Sequence, residues 1–414
     1  MLKRLRVKGF KSLADIEVAF PDLTVLFGPN ATGKSNLLDA LLVLSRLATE
    51  RTITDALTGP VRGYPSELFR FPAGGLAELH DQEKARFVLE ADIETKRRMD
   101  LLRYRVAVDT EPKSGALSVV DEYLSRLSRT GSSMGSPALQ IVGGEIHIRR
   151  KSKPARPRTE PVGLSHTQLS DMRFSGAEYL WIERARNELS TFRTYYLDPR
   201  VAMRRAVPPR EVTEIGPLGE DLAPFLYRLR YSEYEKYFHA IERTLKSIIP
   251  SVEDLTVDLD KKRGTLDIQI AQDGTPFSSR IISEGTLRVL ALCAIAANPW
   301  PGSLVAFEEP ENGVHPRRLE LIARLLGSMT INQGQQVIVT THSPLFCQKI
   351  LALQRDHPEK VALLIMRQKE GMSRCEPFQS VGPLFEDQEI KAALSSQYEN
   401  GWFEGLVLRG LVDG

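Results

Sequence analysis

Apolar and polar positions alternate with a period of two over "RLRVKGF" and "DIEVAF" at the start of the chain, and a short apolar run, "LTVLFG", follows. Both patterns predict strands. The next run, "KSNLLDALLVLSRLA", spaces its leucines three and four apart and predicts a helix with one apolar face. Between residues 85 and 150 the alternation returns in "ARFVLEADIE", "LLRYRVAVD" and "LQIVGGEIHIRR", separated by Gly, Ser and Pro turns. An antiparallel subsheet is expected there. From about Ser175 to Ile249 helical periodicity dominates, broken at "YYLDPR" and at the proline-rich "VPPREV", and this segment reads as a helical lid. Paired strands near 252 to 272 follow. Helix and strand patterns then alternate through "SEGTLRVLALCAIAANP", "SLVAFEEPE", a helix from Arg317, "QQVIVTTHSP" and "KVALLIMRQ". The expected fold is α/β, a mixed sheet with an antiparallel subsheet and a helical lid insertion. Its expected division is a discontinuous core, 1–110 with 250–414, interrupted by an insertion at 111–249.

A chain of 414 residues exceeds the size at which one hydrophobic core stops growing, so two lobes are expected. The hydrophobic fraction of 42% and the charged fraction of 26% suit a soluble protein. No apolar run reaches the ~20 residues that cross a bilayer, and the start lacks the apolar stretch of a secretory signal. A cytoplasmic location with no membrane partner follows as the expectation. The three cysteines, Cys293, Cys347 and Cys375, are scattered, which argues against a disulfide framework or a zinc site. Net charge is only +2, yet residues 147–210 hold fourteen Lys/Arg against six Asp/Glu, a local excess of +8 that leaves about −6 for the remainder. A basic island sits in an acidic body.

Four stretches carry chemistry. Gly28-Pro29-Asn30-Ala31-Thr32-Gly33-Lys34-Ser35 fits G-x-x-x-x-G-K-[ST] between a strand and a helix, the context that a phosphate-binding loop needs. Its glycines let backbone N–H groups turn inward, the helix dipole adds positive potential, Lys34 supplies a point charge, and Ser35 can ligate Mg²⁺. "LVAFEEP" delivers Glu308 and Glu309 at the end of an apolar strand, where ligands gather in open α/β sheets. Glu308 is expected to hold Mg²⁺ through water and Glu309 to polarise the attacking water as general base. "QQVIVTTHSP" puts His342 at a strand tip, where it could sense a γ-phosphate; a lone histidine there is more often a structural hydrogen bonder. "IISEGTLRVLAL" begins a helix with Ser283-Glu284-Gly285, either a second anion site or an ordinary serine cap.

The order of these four stretches resembles that of ABC-type ATPases of the SMC, RecF and OLD group, a P-loop NTPase architecture. The resemblance is nearest to OLD-like "AAA family ATPase" proteins. It rests on "GPNATGKSNLLDAL", "ISEGTLRVLAL", "FEEPENGVHPRRL" and "VTTHSP", with weaker support from "YYLDPR" and "GPLGEDLAPFL". It covers about residues 1 to 45 and 280 to 370. It implies that Gly33, Lys34, Ser35 and Asn36 bind ATP and Mg²⁺, that Glu309 is the hydrolytic glutamate and that His342 is the switch histidine. Glu308 stands where such proteins more often have Asp. Ser283 and Gly285 would reach the γ-phosphate of ATP held by a second subunit, with the "PENG" turn, 310 to 313, at that boundary. The implied assembly is a homodimer, or a higher oligomer, with ATP sandwiched between copies.

The run "IRRKSKPARPR" holds six basic residues and no acidic one, so the loop at 149–158 reads either as a nucleic-acid contact or as a solvated, flexible segment. OLD proteins usually carry a C-terminal nuclease, but the residues after His342 contain no paired Asp-x-Asp, so a nuclease or toxin would be a separate effector protein. Three activities fit these residues: an ATPase sensor or scaffold of a DNA-associated or antiphage defence complex, a RecF-like DNA-binding repair clamp, and an ABC transporter subunit. The long lid and the departure of "SEGTL" from the transporter pattern weigh against the third.

Overall fold

The computed structural model describes residues 1–95, 100–369 and 372–378. The expected end of the core, 379–414, lies outside them, as does half of the segment expected to lack nuclease ligands. Two compact units divide the chain: Met1–Pro21, Gly28–Phe192 and Leu364–Pro377 form the first, and Asp22–Phe27, Arg193–Leu363 and Phe378–Gly414 the second. These borders differ from the expected 1–110, 111–249 and 250–414.

The elements run β1 (Leu2–Phe10), β2 (Leu13–Ala19), β3 (Leu23–Phe27), α1 (Lys34–Leu47), α2 (Ile53–Leu57), α3 (Gly75–Asp81), β4 (Ala85–Glu94), β5 (Leu101–Glu111), β6 (Ala116–Leu127), β7 (Ser133–Val142), β8 (Glu145–Ile148) and β9 (Arg158–Pro161). They continue α4 (Leu180–Leu189), β10 (Phe192–Tyr195), α5 (Leu222–Arg230), α6 (Glu235–Ile248), β11 (Asp254–Asp260), β12 (Thr265–Gln272), β13 (Thr275–Ser278) and α7 (Glu284–Ala296). The last are β14 (Leu304–Glu308), α8 (Leu319–Ile331), β15 (Gln336–Thr341), α9 (Pro344–Asp356), β16 (Val361–Lys369) and β17 (Met372–Pro377).

In the first unit, eight strands form an antiparallel sheet in the order β2-β1-β4-β5-β6-β7-β8-β9. Period-2 alternation buries Leu5 and Val7 of β1 and Phe87, Leu89 and Ala91 of β4, while the polar partners point outward. On the outward face Asp92 accepts from Arg4 Nε at 2.9 Å and from Nε and Nη2 of Arg103 at 2.7 and 2.8 Å. β6 was not among the expected strands. Its residues pair with β5 from Leu101↔Leu127 to Glu111↔Ala116, with a register shift between Ala107 and Val108, so the sheet crosses the expected border at residue 110. The polar letters that hide β6 include Glu122, whose carboxylate is fully buried and bonded by the Tyr104 hydroxyl at 3.0 Å and the amides of Gln168 and Leu169 at 2.7 and 2.9 Å. Burial pushes that carboxyl up to about 7, against the pull of those bonds.

In the second unit, β14, β15 and β3 lie parallel and in register. β3 and β15 are buried at every position and β14 at all but its last, as a strand covered on both faces requires, which is why they read as continuous apolar runs. β10 adds the edge beside β14 and β16 follows β3. The β10 residues fall inside the segment expected to be helical; four residues, "FRTY", are too few to show a period. β11, β12 and β13 form a small antiparallel sheet of their own, and α5, α6, α7, α8 and α9 complete this unit.

Candidate functional site

The phosphate loop leaves β3 one residue after Phe27 and closes on itself. Lys34 is buried, and its Nζ donates to the carbonyl oxygens of Gly28 at 2.6 Å and Pro29 at 2.7 Å. The Thr32 hydroxyl donates to the Pro29 carbonyl at 3.0 Å. Both motif glycines are sterically required. A Cβ on Gly28 would lie 2.2 Å from the Met366 carbonyl oxygen. Gly33 has φ +97°, and a Cβ there would come within 2.8 Å of Ser373 Oγ and 2.9 Å of Leu13 Cδ2. Ala31 is left-handed too, at φ +67°. Because the residue preceding α1 is Gly33, no side chain caps this helix, and none competes for its first-turn amides. Pro29, Asn30 and Ala31 are exposed, Ser35 and Asn36 half-buried, and Asn36 Nδ2 donates to Ser12 Oγ at 2.8 Å. A short closed loop with inward lysine, an uncapped helix and no room for extra side chains fits a triphosphate.

In the second unit the parallel register aligns Glu308 with Thr340, Thr340 with Leu26 and Thr341 with Phe27, so the three strands end together. Glu309 follows at φ +45°, an uncommon conformation for a glutamate, held by its amide donating to the Thr340 carbonyl at 3.0 Å. That turn aims its carboxylate at His342: Nδ1 and Oε1 are 2.8 Å apart. The two residues expected to act as base and switch are therefore direct partners. Ser343 does not reach into the site but caps α9, accepting from the Phe346 amide at 3.2 Å.

Behind this pair lies a residue that the sequence did not single out. Glu311 is buried and its Oε1 accepts from the Thr341 hydroxyl, while its Oε2 has no hydrogen-bond partner. Burial pushes its carboxyl up to about 7. Arg288, on α7, is driven below the ordinary guanidinium value by burial, opposed by the charges of Glu311, Glu284, Glu309 and Asp198. The only sequence hint to either was position: three residues past Glu308, and one turn beyond Gly285.

Ser283 caps α7 from an extended conformation, its hydroxyl accepting from the Thr286 amide at 3.2 Å and lying 2.8 Å from Thr286 Oγ1. Gly285 has a local reason to be glycine: a Cβ would stand 2.3 Å from the Gly313 carbonyl oxygen. The "PENG" turn and the Ser-Glu-Gly helix tip of one chain therefore touch. The basic run belongs to the first unit, with Lys153, Pro154, Ala155 and Arg156 exposed. Its Arg149 Nη1 donates to the Pro137 carbonyl at 2.9 Å and Arg158 lies 5.9 Å from the Phe174 ring centroid. None of the three cysteines is in a disulfide among the described residues, and Cys293 and Cys347 are buried. Among the described residues no helix is long and apolar enough to cross a membrane.

A mixed α/β fold with parallel and antiparallel sheets and a strand-loop-helix phosphate motif defines a P-loop nucleotide-binding protein. The chain belongs to the family described as "AAA domain, putative AbiEii toxin, Type IV TA system", which matches residues 23–348. It is also similar to the DNA replication and repair protein RecF of Ligilactobacillus salivarius, 44% identical over 55 residues, 13% of this chain and 14% of that one. The chromosome partition protein Smc of Rhodopirellula baltica is 56% identical over 43 residues, 10% of this chain and 4% of that one. The chain thus spans well under two thirds of the length of these relatives. Among solved structures it is similar to the SMC head domain from Thermotoga maritima, at 17% identity and a TM-score of 0.41, covering 91% of this chain and 98% of that one.

Proposed function

We propose that this AAA-family protein binds and hydrolyses ATP with Mg²⁺, that two copies sandwich the nucleotide, and that the cycle serves as sensor or scaffold in a DNA-associated or antiphage defence complex with a separate effector. The observation that carries the hydrolytic part is the 2.8 Å contact between Glu309 and His342 at the common end of β14 and β15. Lys34, Gly33, Ser35 and Asn36 bind the triphosphate, and Ser35 and Glu308 are the metal ligands. Mg²⁺ supplies charge neutralisation on the phosphate oxygens. Glu309, oriented by His342, accepts a proton from the attacking water; the left-handed turn at Glu309 fixes the carboxylate so that little rearrangement precedes the step. Ser283 and Gly285 complete the site of the other copy. The family description and the RecF likeness favour a nucleic-acid or toxin-antitoxin setting, and the exposed Lys153 and Arg156 in the 149–158 loop offer backbone phosphate contacts.

A second reading, a RecF-like repair clamp acting on DNA without an effector, draws on the RecF likeness alone. Glu309→Gln separates binding from turnover. Hydrolysis is expected to fall about 10²- to 10⁴-fold, the usual contribution of a general base, with ATP affinity kept. Wild-type turnover in this variant would remove Glu309 from the role.

A further inference from the structure

On the sandwich reading Ser283 and Gly285 have to present themselves to a second nucleotide in a fixed direction, yet the segment before them, 279–282, belongs to no helix or strand. One side chain ties three of its carbonyls together. Arg204 Nη1 donates to the carbonyls of Ser279 at 3.0 Å and Arg280 at 2.6 Å, and Nη2 donates to the carbonyl of Ile282 at 2.6 Å, the residue directly before Ser283. Its Nε donates to the Pro199 carbonyl at 2.7 Å. One planar guanidinium thus ties four backbone oxygens from two separate segments.

The loop on the other side of this clamp is itself rigid. The Asp198 carboxylate accepts from the amides of Arg200, Val201 and Ala202 at 3.0, 3.1 and 3.4 Å. Arg200 returns from the loop to Glu284, the first residue of α7, at 2.8 Å. The loop descends from β10, whose Tyr195 stacks on Phe307 with ring centroids 5.7 Å apart, and Phe307 is the residue before Glu308. Opposite the clamp, the Gly313 carbonyl abuts Gly285. The helix tip is therefore gripped from the 198–204 loop on one flank and from the carboxylate turn on the other.

We infer that Arg204 is the positioning residue of the Ser283-Gly285 tip: it fixes the direction in which this chain offers its serine to ATP held by a second copy. The inference rests on the sandwich reading above. A guanidinium serves better than an ammonium, whose three donors lack the planar fork that reaches four oxygens at once.

The test uses the full chain in the Glu309→Gln background, with ATP-Mg, measuring ATP affinity at low protein concentration and the dimer dissociation constant separately. Arg204→Gln is expected to leave ATP affinity within about twofold and weaken the ATP-driven dimer at least tenfold, with Arg204→Lys in between. A general folding defect would lower ATP affinity along with dimerisation, and that parallel loss would overturn the assignment. Dimerisation as tight as in Glu309→Gln alone would overturn it as well. If Arg204→Gln does not fold, Arg204→Lys decides by the same split. A Glu309→Gln protein that never dimerises with ATP would instead sink the sandwich reading itself.

Discussion

The two helices that begin at phosphate-type motifs, α1 and α7, differ at their first turn. α1 starts from left-handed Gly33 with no side-chain cap, whereas α7 starts from Ser283, whose hydroxyl already accepts from the Thr286 amide. An uncapped N-terminus leaves its amides and dipole to a ligand, and Lys34 adds a charge beside them. The cap of α7 has already engaged one of its donors, the Thr286 amide, which leaves fewer of them for an anion. On the proposed sandwich reading, the difference implies an order of events: the α1 loop would bind the triphosphate by itself, and the α7 tip would engage only once a nucleotide is presented to it by another copy.

The largest break in that comparison comes from Lys34→Ala. It removes the buried ammonium that spans Gly28 and Pro29, and ATP affinity measured by calorimetry is expected to drop at least 100-fold, about 3 kcal/mol for a desolvated charge-assisted contact. Micromolar binding in this variant would mean that the loop is not the anchor. Ser283→Asp sharpens the other side. Aspartate keeps the helix cap but sets a carboxylate where a phosphate is to dock. ATP binding to the isolated chain should be unchanged, while hydrolysis falls at least tenfold; full activity would free α7 from any contact with nucleotide. Ser283→Ala has the smallest effect, a loss of about 1 kcal/mol of stability from the missing cap, read as a melting temperature a few degrees lower. An unchanged melting curve would show that the cap contributes nothing.

The same contrast marks what was legible beforehand. The phosphate loop is a local signal, complete within eight residues and flanked by its strand and helix. The parallel strands were legible because burial on both faces leaves mostly apolar letters. Glu308, Glu309 and His342 were found because each sits where such a strand stops. Their contact was not readable, since 33 residues separate Glu309 from His342 and register alone brings them together. β6 stayed hidden because its buried Glu122 breaks the alternation, satisfied by Tyr104 and two distant amides. Gly285 was read as part of a tip that reaches a second copy's nucleotide, whereas the Gly313 carbonyl, close to where its Cβ would stand, gives it a packing reason as well. Arg204 is one arginine among many in a basic stretch; only the fold reveals that its fork is spent on backbone carbonyls.

Completion of one copy's site by the other is the claim on which the rest depends, and mixing two dead variants tests it. Lys34→Ala keeps the α7 tip and lacks the anchor; Ser283→Asp keeps the anchor and lacks the tip. Combined in equal amounts, they can form a mixed dimer with one whole site, so ATP hydrolysis should reappear well above that of either variant alone. A mixture as inactive as its two components, at concentrations where the wild type turns over, would contradict the account.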